Sequence, residues 1–232
     1  MGETLYFAYG SNLSFEQMAR RCPQSRYVGR ARLHGYQFQI NERGFANVVE
    51  RLGLFVEGLC YRLHSEDEVR LDRAEGVPTA YVKEEKNVEF FPAQAALLGR
   101  TVTDLVQDST PISQNRQRDH RKGEEALAMV YLSTRHVTPG LPWDEYIIRM
   151  EQGLEQALRL GVSSDYIENE VRPALRTGKG DRADRGSGYT EAQGIEENRG
   201  GSETRDYMKN PDVRIIQNLV GIKIKKSRWC AG

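Results

Sequence analysis

Two short segments of the sequence carry the residue types that anion binding and proton transfer require. In the first, an apolar segment from Thr4 to Tyr9 reaches Gly10 and is followed by the small polar residues Ser11 and Asn12. A turn of this kind directs backbone N–H groups into the space above a strand end, where they suit a carboxylate or a developing oxyanion. The alternative is an ordinary strand-to-helix turn, in which small residues are common.

The second segment places a carboxylate at an unfavourable position on a helix. Ser65 to Glu68 has the residues of a capping box and predicts a helix start, Gly76 suits a C-terminal cap, and Pro78 prevents continuation. Glu75 then lies in the last turn, where the helix dipole opposes a negative charge by about 0.3 kcal/mol or more. Stability gives no reason for this glutamate, whereas a general base benefits from such a position. The alternative is a glutamate solvated at the surface.

Both segments must be held in place by the β-strands that the rest of the sequence predicts. Alternating apolar residues and polar turns predict strands at 27–40, 46–50, 54–63 and 126–133, and a further short strand at 102–106. Residues 81–91 predict either one long strand or a pair of strands. Gly29 and Gly35 interrupt the first of these strands and predict a bend or bulge, as in small barrels. Gly58 leaves room for another backbone or a ligand. The polar residues 113–123, which include His120, predict an exposed loop.

Helix patterns precede and follow these strands. Ser14 and Gln17 have the spacing of a capping box and predict a first helix that Pro23 ends. Pro142 begins the longest predicted helix, whose apolar residues recur three and four positions apart, which is typical of a helix packed on a sheet. Ser163 to Leu175 predicts a shorter second helix.

Composition and charge restrict the function classes. The 33 basic and 33 acidic side chains give a formal charge of zero, which argues against a general affinity for nucleic acid or acidic membranes. We find neither an apolar segment long enough to span a bilayer nor a signal-peptide pattern. Cys22, Cys60 and Cys230 are too widely spaced for a disulfide framework or a metal site. We therefore expect a cytoplasmic protein.

The sequence divides into three predicted parts. Residues 1–176 form the domain, and residues 177–205 are a flexible linker whose glycines and charges cannot bury a core. Residues 206–232 regain apolar residues and carry a net positive charge. We expect this C-terminal tail to dock on its own domain; a strand swapped into a partner subunit of a homodimer, or an acidic partner, are the alternatives.

Both segments that could carry chemistry match the signature motifs of one family. The first motif is Tyr9-Gly10-Ser11-Asn12-Leu13. The second is Leu71-Asp72-Arg73-Ala74-Glu75-Gly76-Val77, followed by Tyr81. With these motifs in this order, the chain resembles the γ-glutamylcyclotransferase-like proteins over about residues 4–175. Asn12 after the serine resembles the classical branch of the family, since the glutathione-specific branch has leucine there.

The resemblance implies an α+β fold, a small bent mixed β-barrel flanked by helices. It also implies that the substrate's own α-amine attacks its γ-glutamyl carbonyl and releases 5-oxoproline, with Glu75 as the catalytic general acid/base. The backbone of the turn would hold the substrate's α-carboxylate or the oxyanion. The substrate-binding residues that the resemblance implies are Tyr6, Phe7, Ala8, Tyr9, Gly10, Ser11, Asn12 and Tyr146. Tyr146 is equally explained as an aromatic residue on the apolar stripe of the long helix.

No metal, nucleotide or other cofactor is required for such a reaction, and Ser11 has no apparent histidine partner that would make it a nucleophile. The expected substrate is a γ-glutamyl dipeptide or a larger glutathione-derived conjugate of detoxification or secondary metabolism, because residues 92–124 and the tail could reshape the pocket. A non-catalytic relative that uses the pocket for binding or interaction is the alternative function.

Overall fold

The strand and helix patterns of the sequence form a five-stranded barrel with helices around it, in a computed structural model that describes residues 3–108 and 123–176. The strands are β1 (Thr4–Ala8), β2 (Arg26–Ile40), β3 (Ala46–Leu63), β4 (Val82–Pro92) and β5 (Glu124–Leu132). The helices are α1 (Phe15–Arg21), α2 (Ser65–Glu75), α3 (Val102–Gln107), α4 (Asp144–Arg159) and α5 (Ser164–Tyr166), and a π-helical turn at Ile167–Val171 continues the last.

The barrel closes in the order β1–β3–β2–β4–β5, and its sheet is mixed. All neighbours are antiparallel except β1 and β5, which pair in parallel where Tyr6 faces Met129. Helices flank the barrel, so the expected α+β fold is confirmed. The predicted irregularities of β2 are also confirmed, because its register against β3 shifts between Tyr27 and Gly29 and again between His34 and Tyr36.

Long outer ends distinguish β2 and β3 from the other strands. They pair with each other from Arg26 as far as Ile40 and Ala46, whereas β2 pairs with β4 only over Gly29–Arg32. Residues 36–40 and 46–50 therefore extend as a two-stranded β2–β3 arm beyond the pairing with β4.

Two strand predictions are wrong. Residues 102–106 belong to the helix α3, because the Thr101 hydroxyl accepts the Asp104 N–H at 3.1 Å and so caps a helix, and because Val102 and Leu105, three residues apart, are buried together. Residues 46–50 and 54–63 are parts of one continuous strand, β3, rather than two strands.

Helix termini differ from the predictions by one or two residues. His64, not Ser65, is the N-cap of α2, since its side chain accepts the Glu66 N–H. The long helix α4 begins at Asp144, two residues after Pro142. Ser14 caps α1 and Gly76 closes α2, as predicted.

The described part of the segment 92–124 lies against the start of β2. The Val102 N–H donates to the Ser25 carbonyl at 2.9 Å, and the Thr103 hydroxyl donates to the Pro23 carbonyl at 2.9 Å. Of the predicted polar loop at 113–123, residues 113–122 with His120 lie outside the described residues, as do the linker at 177–205 and the tail at 206–232. Within the described ranges, none of the helices has the length and apolar character that a membrane crossing needs.

Candidate active site

Glu75 is held against the turn between β1 and α1. Gly76 adopts the left-handed conformation with φ of 66° and ends α2, so Glu75 is the last residue of this helix. Its Oε1 atom accepts a hydrogen bond from Asn12 Nδ2 at 3.1 Å and forms an ion pair with Arg21 Nη1 at 3.2 Å. The two sequence segments that could carry chemistry thus meet through one carboxylate oxygen, in a contact between residues 63 apart in the sequence.

Asn12 is the centre of a buried hydrogen-bond network. Its Nδ2 also donates to the Tyr6 hydroxyl at 2.9 Å, while its Oδ1 accepts from Gln17 Nε2 at 2.9 Å and from Arg21 Nη1 at 3.0 Å. The Tyr61 hydroxyl donates to the Asn12 backbone carbonyl at 3.0 Å. Because both ends of the amide are occupied, the network fixes the side chain of Asn12 and, through it, the position of Glu75.

Ser11 joins the same network through Gln17. Gln17 Nε2 donates to Ser11 Oγ at 2.6 Å, and the Ser14 hydroxyl accepts the Gln17 N–H at 3.3 Å. Half of the predicted capping box is therefore present: Ser14 caps the helix, but the Gln17 side chain turns toward Ser11 and Asn12 rather than back to the cap.

Gly10 is explained by close packing rather than by a left-handed backbone. Its φ is −107°, and a Cβ atom there would lie 3.1 Å from Tyr146 Oη and 3.3 Å from Ala46 Cβ. Tyr146 Oη accepts the Ala46 N–H at 3.2 Å, and the Tyr81 hydroxyl donates to the Ala46 carbonyl at 2.7 Å. The turn, the arm and helix α4 meet at this position, which places Tyr146 beside Gly10.

Phe7, Ala8 and Tyr9 do not join the hydrogen-bond network of Glu75. The Phe7 ring and the Ala8 carbonyl approach Gly58 of β3, so a neighbouring strand backbone occupies the room that this glycine leaves. The Tyr9 hydroxyl donates to the Tyr131 carbonyl at 2.7 Å. These three residues therefore stay predictions of backbone contact to substrate, and their side chains form the barrel wall beneath the site.

A family model matches the part of the chain that carries both signature motifs. Residues 6–114 match the family model described as "Gamma-glutamyl cyclotransferase, AIG2-like". Over these residues, just under half of its length, the chain is similar to this family. The match covers both signature motifs, and it confirms the family predicted from them; the classical branch stays a prediction.

Solved structures share the fold of this chain. A γ-glutamyl cyclotransferase is 23% identical with a TM-score of 0.51, over 72% of this chain and 85% of its own. An uncharacterized protein from Homo sapiens is 21% identical with a TM-score of 0.52, over 90% and 99%. YkqA from Bacillus subtilis is 24% identical with a TM-score of 0.51, over 75% of this chain and 55% of its own. No curated protein sequence matches the chain.

Five buried tyrosines surround the carboxylate of Glu75. Burial raises the pKa of each hydroxyl above its usual range, and the negative charge of Glu75 raises it further; these residues are Tyr6, Tyr9, Tyr81, Tyr131 and Tyr146. Burial also raises the pKa of the nearby Cys22 thiol to about 12. At neutral pH these groups keep their protons, so they can donate hydrogen bonds but cannot serve as the base.

The two oxygens of Glu75 have different surroundings. Oε1 carries the contacts to Asn12 and Arg21, whereas no donor among residues 3–108 and 123–176 reaches Oε2. The Glu75 side chain is 18% exposed, enough for a small molecule to approach. One oxygen is thus anchored and the other is open, which is the arrangement that a group exchanging a proton with substrate requires.

Sequence reasoning missed several residues that position Glu75. Arg21 supplies a positive charge that offsets the unfavourable end of the α2 dipole. Gln17 and Arg21 are four residues apart on α1 and so face the same side, which is the signal that could have found them. Asp72, one turn before Glu75, accepts the Tyr131 hydroxyl at 2.7 Å and Lys83 Nζ at 2.9 Å, and this fixes α2 to the barrel.

Proposed function

We propose that the protein is a γ-glutamyl cyclotransferase that releases 5-oxoproline from a γ-glutamyl amide. The observation that carries this proposal is the carboxylate of Glu75, anchored through Oε1 by Asn12 and Arg21 and open at Oε2 beside the Gly10 turn. The match of residues 6–114 to the γ-glutamyl cyclotransferase family model supports a cyclotransferase-type reaction.

The reaction needs one proton acceptor that later returns the proton. The α-ammonium of the glutamyl group gives a proton to Glu75 Oε2, and the neutral amine attacks the γ-carbonyl carbon and forms the new C–N bond of a five-membered ring. The tetrahedral intermediate collapses, and the bond to the leaving nitrogen breaks as Glu75 returns the proton to that nitrogen. The attacking nitrogen gives up its second proton, which the released amine takes up to leave as an ammonium ion. Because the attack is intramolecular, holding the glutamyl chain folded supplies much of the acceleration.

Hydrogen-bond donors near the open oxygen have roles in binding. The backbone of the turn at Gly10 to Asn12 is the proposed site for the substrate's α-carboxylate or for the oxyanion. Tyr146, whose hydroxyl stays protonated and lies beside Gly10, is a proposed contact of the glutamyl group. Ser11 is bound to Gln17 and has a positioning role rather than a nucleophilic one.

The substrate we propose is a γ-glutamyl dipeptide or a larger glutathione-derived conjugate, and the compartment is the cytoplasm. The free, buried thiols of Cys22 and Cys60 are compatible with a reducing environment.

The test is 5-oxoproline release by the purified protein from γ-glutamyl-alanine, glutathione, a bulky glutathione S-conjugate and γ-glutamyl-lysine. Glu75→Gln keeps the hydrogen-bond acceptor at Oε1 and removes the base. We expect wild-type release from at least one compound and none above background from the variant, while calorimetry shows that the variant still binds that compound. Release that is unchanged in Glu75→Gln contradicts the mechanism. Binding without release by the wild-type protein indicates the non-catalytic alternative.

A further inference from the structure

Helix α4 buries one arginine on its apolar side. Its buried residues are Tyr146, Arg149, Met150, Gly153, Leu154 and Ala157, and Arg149 is the single charged member of this set. Arg149 is only 8% exposed. An apolar side chain at this position would bury a similar surface without removing a charge from water, so stability alone gives no reason for an arginine. The proposed chemistry at Glu75 does not use Arg149.

The guanidinium group of Arg149 lies over the ring of Tyr146, three residues earlier on the same helix. Its central carbon is 5.1 Å from the centre of the ring. Residues three apart are neighbours on a helix surface, which explains why these two side chains meet. The negative face of an aromatic ring attracts a cation at this distance, and burial reduces the screening of that attraction by water. Arg149 therefore restrains the ring of Tyr146.

Glu145 holds the guanidinium group in this place. One nitrogen, Arg149 Nη2, lies 3.3 Å from Glu145 Oε1 and 3.1 Å from Glu145 Oε2. Glu145 precedes Arg149 by four residues and is the more exposed partner of the ion pair. The pair offsets part of the cost of burying the cation, while the guanidinium group keeps its contact with the Tyr146 ring.

Two backbone N–H groups hold the hydroxyl of Tyr146 at the other end of the ring. Oη accepts the Ala46 N–H at 3.2 Å, and the N–H of Ser11, in the Gly10 turn, donates to the same oxygen. A hydroxyl has two acceptor positions and one proton to donate. Because both acceptor positions are used, the proton points away from these two groups, and no residue in the described part of the chain accepts it. The hydroxyl proton is therefore left for a ligand beside the Gly10 turn.

The backbone donors and the arginine act on this hydroxyl in the same direction. Burial raises the pKa of the Tyr146 hydroxyl, whereas the hydrogen bond from Ala46 and the positive charge of Arg149 lower it. Groups that donate to a hydroxyl oxygen polarise the O–H bond and make it a stronger hydrogen-bond donor. Arg149 thus influences both the position of the Tyr146 ring and the strength with which its hydroxyl donates.

We propose that Arg149 is a positioning residue of the active site: its guanidinium group, held by Glu145, fixes the Tyr146 ring and strengthens the hydrogen bond that the Tyr146 hydroxyl donates to the negative oxygen of the reacting γ-carbonyl. This inference rests on the proposed function, which places the γ-glutamyl group beside Tyr146 and Glu75. Arg149 does not touch the substrate and acts through Tyr146.

The first experiment measures 5-oxoproline release by Arg149→Met in two backgrounds. In the wild-type background we expect kcat to fall about fivefold and KM to change less than about twofold, because the negative oxygen forms only in the transition state. Tyr146→Phe removes the hydroxyl and should lower kcat about 10²-fold. In the Tyr146→Phe background, Arg149→Met should lower kcat no further. An equal fall of kcat in both backgrounds overturns the proposal.

Two further variants separate the role of the cation from a general effect on the fold. Arg149→Lys keeps a cation beside the ring and should retain at least about half of the wild-type kcat. Arg172→Met is the matched control, because Arg172 is a partly buried arginine that pairs with Glu151 of α4 at 3.1 Å and, within the described residues, lies over no aromatic ring. We expect it to leave kcat unchanged. A fall of kcat in Arg172→Met as large as in Arg149→Met, or an Arg149→Lys protein as slow as Arg149→Met, overturns the proposal.

A binding experiment separates this inference from the proposed reaction. The probe is the phosphinate analogue of γ-glutamyl-alanine, in which a tetrahedral P–O⁻ group stands where the negative oxygen forms, and calorimetry measures its Kd. We expect Arg149→Met to raise Kd about fivefold in the wild-type background and not at all in the Tyr146→Phe background. This result supports the inference even if the wild-type protein releases no 5-oxoproline, which counts against the proposed function alone. An equal rise of Kd in both backgrounds, or no binding by the wild-type protein, overturns the inference.

Discussion

Glu57 and Glu75 each pair with an arginine, and their surroundings assign them different tasks. Glu57 on β3 is buried, with a side chain only 1% exposed, and both of its oxygens are occupied: Oε1 accepts Arg32 Nε at 2.8 Å and Oε2 accepts the Ser163 N–H at 2.7 Å. Glu75 at the end of α2 is 18% exposed and uses Oε1 alone. Glu57 is saturated, whereas Glu75 keeps one oxygen for something else.

The comparison shows that an ion pair by itself does not distinguish a structural carboxylate from a functional one. Glu57 connects β2, β3 and the start of α5, so its two contacts hold three parts of the fold together. The contacts of Glu75 converge on a single oxygen and thereby orient the other toward open space. The number of occupied oxygens, rather than the presence of an arginine, separates the two roles.

The largest expected effect is on turnover in Glu75→Gln. The side-chain amide can keep its carbonyl oxygen toward Asn12 and Arg21, but it cannot accept the substrate proton. We expect kcat for 5-oxoproline release to fall about 10³-fold, within the 10²–10⁴ range of general acid–base catalysis. The free energy of unfolding should change by less than about 1 kcal/mol, since only one partly exposed ion pair is lost. Steady-state kinetics and urea unfolding of the same preparations measure the two quantities.

Glu57→Gln should show the opposite profile. Both oxygens of Glu57 face donors, so an amide nitrogen must point at either Arg32 or the Ser163 N–H and leaves that donor unsatisfied in a buried position. We expect the free energy of unfolding to fall by about 3 kcal/mol, while kcat per folded molecule stays within a factor of about two of the wild-type value. A variant that is stable but inactive would reverse the roles assigned to the two glutamates.

Local sequence patterns predicted most of the strands, whereas the barrel itself was implied by the family resemblance. Alternation identified the strand segments, and the glycines at 29 and 35 predicted the bulges that the register shows. The strand predicted at 102–106 was wrong because the spacing of Val102 and Leu105 fits a strand or a short helix equally well. The N-cap from Thr101 decides in favour of the helix. The spacing of apolar residues identifies a segment as a strand or a helix only where it fits one of the two periods and not both.

Half of the candidate site could be predicted in the same way. Helix caps placed Glu75 in the last turn of α2, and the glycine turn placed Asn12 at the end of β1. The contact between Asn12 and Glu75, and the ion pair of Glu75 with Arg21, depend on tertiary packing, which local sequence patterns do not predict. Glu57 could not be distinguished from a solvated glutamate, because its burial is set by strands and a helix distant in sequence.

Gly10→Ala tests whether close packing at the turn supports the arrangement around Glu75. The added Cβ meets Tyr146 Oη at 3.1 Å, so the turn or helix α4 must shift by a few tenths of an ångström. We expect the free energy of unfolding to fall by about 1–2 kcal/mol, which is typical of overpacked protein cores. We also expect KM for the γ-glutamyl substrate to increase. Gly10→Ala combined with Tyr146→Phe removes the opposing hydroxyl and should regain part of the stability. Equal instability in the single and double variants shows that the constraint comes from Ala46 instead.

The smallest expected effect is the coupling energy within the Arg21–Glu75 pair. A double-mutant cycle with Arg21→Met and Glu75→Gln should give a coupling free energy of about 0.5–1 kcal/mol, because the pair is partly exposed and shares its arginine with Asn12. The same cycle with Arg32→Met and Glu57→Gln should give about 2 kcal/mol, because that carboxylate is fully desolvated. Chemical unfolding of the wild-type protein and the six variants measures both numbers. A coupling at Glu75 equal to that at Glu57 means that the Glu75 carboxylate is bound as firmly as a structural one, and the open oxygen then loses its significance as the site of proton transfer.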